Sequence, residues 1–115
     1  MITPSEEKRK AIRVPVDLEV QIRQDNDDYT GRILNLSVDG MFAKCFHLFD
    51  ANDTLQLSFH LPGSNHHVHA EARVIWGGSM EGVSVRSFAM GIQFEGLAAS
   101  DSKEIARYIQ DLLKA

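Results

Sequence analysis

Val14, Val16, Leu18, Val20 and Ile22 alternate with Pro15, Asp17, Glu19, Gln21 and Arg23. A period of two puts one set on each face of an extended strand, so this segment demands a sheet buried on one side. The pattern returns along the chain. Leu55, Leu57, Phe59 and Leu61 alternate with Gln56, Ser58 and His60. Val68, Ala70, Ala72, Val74 and Trp76 lie opposite His67, His69, Glu71 and Arg73, which places Trp76 in the core by parity. Phe88, Met90, Ile92 and Phe94 form a last inward set, with Gly91 on the other face, where close approach is possible. Tyr29 to Leu36 and Gly40 to Phe46 read as two less regular strands, followed by a loop over 47–52. Asp25 to Asp28 and Pro62 to Asn65 are turns, and Gly77 with Gly78 ends the fifth strand. Pro15 has no amide hydrogen, so the first strand is expected to begin at an edge or an irregular stretch.

After Phe94 the period changes. Ile105, Tyr108, Ile109 and Leu112 recur three or four apart, which predicts a helix over about 101–113. Asp101 followed by Glu104 resembles a capping box at its start. Short strands separated by turns predict an all-β sheet closed into a barrel, with the C-terminal α-helix docked on an open part of it. Residues 13–115 form that domain, and the polar residues 1–12 form a flexible basic arm ahead of it.

The charge distribution narrows the function. Net charge is -4, yet four of the twelve Lys and Arg residues fall between positions 8 and 13. A polymer-coating protein needs many phosphate contacts, so a nucleic acid polymer is not expected as a partner. An RNA-binding barrel would carry a wider basic surface and exposed aromatic platforms. The confined cluster instead marks one local site for an anion. The single Cys45 is read as a small buried hydrophobe and cannot form an internal disulfide. No apolar run is long enough to insert in a membrane and no signal-like segment opens the chain, so the protein is expected in the cytoplasm. His66, His67 and His69 cluster with His60 nearby, but parity separates His66 from His67 and His69. They are read as exposed strand and turn residues, with no metal site. Ser37, Asp39 and the histidines lack a nucleophile elbow, so no catalytic residue and no enzyme activity is expected.

Two motifs 22 residues apart carry the candidate site. Arg9 and Arg13 are four apart beside Lys8 and Lys10. A planar guanidinium suits phosphate oxygens and the acceptor edge of guanine. Asn35, Ser37 and Gly40 lie in a polar turn with Asp39. Asn35 both donates and accepts, Ser37 offers a small hydroxyl, and Gly40 permits close approach. Asn35 and Ser37 serve equally well as caps of the bend, bonding nearby backbone.

Together these motifs resemble the PilZ domain family, marked by Arg-x-x-x-Arg followed by Asp/Asn-x-Ser-x-x-Gly. The similarity spans nearly the whole chain. It includes Thr30, Gly31 and Arg32, then Gly40, Met41 and Phe42, then Val74, Ile75 and Trp76, and finally Gly91, Ile92, Gln93 and Phe94. The resemblance implies a six-stranded antiparallel β-barrel with a C-terminal helix that binds cyclic di-GMP. It implies that Arg9 and Arg13 hold guanine edges and phosphates, that Asn35 reaches a guanine edge, and that Ser37 and Gly40 line the pocket. Lys8, Lys10, Asp39, Gly91 and Trp76 join the candidate ligand-binding set. Some relatives place an aromatic where Trp76 falls, although its parity favours the core. In similar proteins a basic residue at the position of Lys8 accompanies two intercalated ligands, so one or two molecules per chain are expected, with two favoured. Ordering of the arm would then signal to an unidentified downstream protein, and a homodimer is possible. The alternative is a PilZ-like protein adaptor with weak or no nucleotide binding.

Overall fold

The computed structural model describes residues 11–79 and 87–114. Six strands, β1 (Val14–Gln24), β2 (Asp27–Leu36), β3 (Gly40–Cys45), β4 (Thr54–His60), β5 (His67–Ser79) and β6 (Phe88–Leu97), precede the helix α1 (Ala99–Lys114). All neighbours are antiparallel and close a barrel in the order β1-β2-β3-β6-β5-β4. Closure follows from the alternation: each strand buries one face, and a closed sheet turns all those faces inward. Val20, Ile33, Leu36, Leu55, Leu61, Val68 and Val74 are fully buried in one cluster. The β1–β2 hairpin turns on two residues, with Asp25 in the left-handed region at φ 55°. The irregular start expected from Pro15 is present as a register shift between Pro15 and Leu18.

Two elements differ from the sequence reading. β5 runs through Gly77 and Gly78 to Ser79, because both glycines still pair, with Met90 and Ala89. Trp76 is not a core residue. A register shift between Val74 and Trp76 breaks the alternation, and both Ile75 and Trp76 are 48% exposed. An extra residue in one strand reverses the side to which later side chains point, which strict parity cannot anticipate.

The helix begins two residues earlier than expected and buries Ile105 and Ile109 in the barrel core, while Tyr108 packs against it and Leu112 remains exposed. It lies against β5. Asp101 does not cap it. Asp101 is the third helical residue and is buried, and His66 Nε2 donates to its Oδ1 at 2.6 Å. Asp101 Oδ2 accepts from the His69 amide at 3.4 Å. The carboxylate therefore clamps the helix to the β4–β5 hairpin, and His66 is a helix anchor rather than an exposed turn residue. No helix among the described residues is long and apolar enough to cross a membrane. Among the same residues, no three His, Cys, Asp or Glu side chains are grouped to hold a metal ion.

Removing the clamp leaves the part-buried His66 ring and His69 amide without their acceptor, which costs about 1 kcal/mol. Asp101→Ala is expected to lower the urea midpoint by a corresponding amount with an unchanged m-value. A variant as stable as the parent would show that this contact does not hold the helix.

Candidate functional site

Strand pairing joins the two motifs. Val14 pairs with Leu36 and Pro15 with Asn35, so Arg13 at the mouth of β1 meets the turn that follows β2. That turn is held from within by Ser37, which is only 1% exposed. Its Oγ accepts from the amides of Asp39 at 3.1 Å and Gly40 at 3.2 Å, and the Ser37 amide donates to the Gly40 carbonyl at 2.9 Å. The Phe94 amide donates to the Asp39 carbonyl at 2.8 Å, fixing the turn to β6. Asn35 Oδ1 accepts from the Phe42 amide at 3.2 Å, where β2 shifts register against β3. The capping roles considered for Asn35 and Ser37 are thus realised.

Glycines allow the strands to meet here. A Cβ on Gly40 would collide with the Ile92 carbonyl oxygen, and one on Gly91 would collide with the Trp76 indole nitrogen. Gly91 lies on the outer face, as expected, and the Trp76 ring covers it. Phe42 supports that ring at a centroid distance of 5.4 Å. The tryptophan is therefore propped flat on the barrel wall while keeping an exposed surface.

Between the turn and the tryptophan lies a cleft of about 400 Å³. Arg13, Asp39, Gly40, Trp76, Gly91 and Gln93 line it, over the backbone of the Met41–Ile92 pair. Of the residues singled out in the sequence, Arg13, Asp39, Gly40, Trp76 and Gly91 converge on this cleft. Ser37 lies beneath the turn, and Asn35 stands beside the cleft without lining it. Lys8, Arg9 and Lys10 lie outside the described residues. Gln93 was missed. Its signal is the pairing with Gly40, which places an amide side chain at the cleft beside the arginine. Arg13 supplies charge and a donor fork, Asp39 accepts, and Gln93 does both. Such a set recognises an anionic ligand that also carries donor and acceptor edges.

The PilZ domain family model matches residues 7–111. The chain belongs to the PilZ domain family. Among curated proteins none matches it. The fold is similar to that of the Bacillus subtilis inhibitor of motility, MotI, with a TM-score of 0.78 at 22% identity, covering 92% of this chain and 52% of that one. It is also similar to the PilZ domain of YcgR from Escherichia coli, solved with c-di-GMP, with a TM-score of 0.75 at 16% identity, covering 93% of this chain and 92% of that domain. MrkH from K. pneumonia in its apo state gives a TM-score of 0.76 at 17% identity, covering 98% of this chain and 52% of that one. This PilZ chain thus spans about half the length of MotI and of MrkH.

Ser37→Ala separates support of the turn from contact with a ligand. The buried Gly40 amide and the part-buried Asp39 amide would lose their acceptor, at a cost of about 1–3 kcal/mol. Thermal unfolding is expected to register that loss with no ligand present. An unchanged melting temperature would remove Ser37 from the scaffold of the site.

Proposed function

We propose that this PilZ domain is a receptor for cyclic di-GMP and transmits occupancy to a partner protein. The observation that carries the reading is the cleft itself, where Arg13 stands between the Ser37-braced turn and the half-exposed Trp76. A cyclic dinucleotide presents two phosphates and two guanine faces. The phosphates draw the guanidinium of Arg13 and the basic groups at positions 8–10, and a base stacks on the indole. Guanine offers acceptors at O6 and N7 and donors at its N1 and N2 positions. Gln93 can meet either kind, Asp39 the donors, and the amide nitrogen of Asn35, unpaired among the described residues, an acceptor. Gly40 and Gly91 let the turn and the indole pack closely on β6, which shapes the wall of the cleft.

Arg9 belongs to the arm over residues 1–12, and its role completes the reading. Fixing each residue costs about 1–2 kcal/mol of backbone entropy, so the arm closes only when several charge-assisted bonds form together. The resemblance to relatives with a basic residue at the position of Lys8 favours two ligands over one. The assembled surface of arm, ligand and barrel is what the partner reads. No bond in the ligand is made or broken.

One observation favours a second reading. Asn35 Oδ1 and Ser37 Oγ are both spent on backbone amides, so half of the second motif is explained by the turn alone. On that reading the domain is an adaptor with weak or no nucleotide binding.

Titration calorimetry with cyclic di-GMP separates the two. Saturable binding of one or two molecules per chain is expected, with GMP failing to compete at equal concentration. Arg9→Ala and Arg13→Ala should each weaken binding by about 10–100-fold, the loss of a charge-assisted contact. Backbone amide spectra should show residues 1–12 becoming ordered with ligand. Absence of heat and of spectral change would leave the adaptor reading.

A further inference from the structure

Phe46 is the most exposed large apolar side chain among the described residues, at 72%. It follows directly on β3, whose outward side carries Phe42 and Lys44. Beside it lies a second concavity, of about 420 Å³, lined by Gly31, Arg32, Lys44, Cys45 and Phe46 together with the hydroxyl residues Thr30 and Ser87. Among the described residues this groove shares no lining residue with the candidate nucleotide cleft. Its volume falls in the range of small-molecule sites rather than flat protein interfaces.

The chemistry of the lining is one-sided. Both of its charged residues are cations, and no carboxylate lines it among the described residues, although the chain as a whole carries net charge -4. Arg32 already binds Asp17, through Nε at 2.9 Å to Oδ1 and through Nη2 at 3.1 Å to the Asp17 carbonyl. Lys44 makes no ion pair among the described residues. It is half-buried, which fits an aliphatic stem lying on the barrel wall. At the floor, the Cys45 thiol donates to the His47 carbonyl at 3.0 Å, and burial pushes its pKa up, which keeps it neutral. A mostly apolar groove whose charged residues are cations, one of them without an ion pair among the described residues, suits a ligand with a tail and a negative head.

We propose that this groove binds a single-chain anionic amphiphile of the fatty-carboxylate class, with its head on Lys44 and its tail along Phe46. The carboxylate takes the ammonium, which has no ion pair among the described residues, supported by the edge of the Arg32 guanidinium that Asp17 does not occupy. The tail covers the exposed phenyl ring, which removes apolar area from water. The site stands whether or not the other cleft takes a nucleotide.

The test uses the whole chain and sodium dodecanoate below its micelle concentration, followed by calorimetry and backbone amide shifts. Saturable one-site binding is expected, with shifts at Gly31, Arg32 and Lys44 to Phe46 and little change at Gly40 and Gly91. Lys44→Glu, Lys44→Gln and Phe46→Ser should each weaken it by about tenfold or more. Circular dichroism melting verifies that each variant is folded, and the wild-type shift map stands independently of all three. Dodecyltrimethylammonium, with the same tail and the opposite charge, should bind about tenfold more weakly. Equal affinity for both amphiphiles, shifts centred on Gly91, or no saturable binding would overturn the proposal. Binding to phosphatidylglycerol vesicles without binding to the monomer would overturn it in favour of a membrane-contact surface.

Discussion

Closure of the barrel is the constraint from which the rest of the molecule follows. Six strands bury their inner faces only if β1 and β4 meet, and they do so over a short stretch, Gln21 to Arg23 against Ser58 to Gln56. Once that seam is made, every inward residue is fixed in register, because a slip of one would expose an entire row of apolar side chains. The same registration brings Val14 to Leu36 and Gly40 to Gln93. Motifs distant in sequence become neighbours as a by-product of burying valines and leucines.

The site is built by polar groups that serve the backbone. Ser37 and Asn35 hold the turn and the bulge, and the Asp39 carbonyl ties that turn to β6. Side chains left over for a ligand, Arg13, Asp39 and Gln93, then project from a framework that is already rigid. Such a division leaves the side chains of the candidate site on turns and strands that are already braced. Its counterpart at the other end of the chain is Asp101, a buried carboxylate that joins the helix to the β4–β5 hairpin instead of facing solvent.

Much of this architecture was legible in the sequence, for identifiable reasons. Alternation exposed the strands because most of them bury a single face, and the change to a helical period at Ile105 and Ile109 marked the helix that reaches the core. The convergence of Arg13 with Asp39 and Gly40 was legible through motif order. What escaped was whatever depends on a local break or a distant partner. The bulge near Ile75 reversed Trp76, and no single-residue pattern announces an inserted residue. Asp101 looked like a cap because its acceptors and donors were judged within its own helix, whereas its partners lie 35 and 32 residues away. Gln93 escaped because its importance comes only from being paired with Gly40.

The outward turn of Trp76 has one more consequence. It is the only tryptophan in the chain, so the indole emission of the whole protein originates from a single corner of the barrel. There the ring rests on Gly91, backed by Phe42, with its other side open to water. A change in the colour or quenching of that emission is a label-free optical signal from the cleft, built into the fold by one extra residue in a strand.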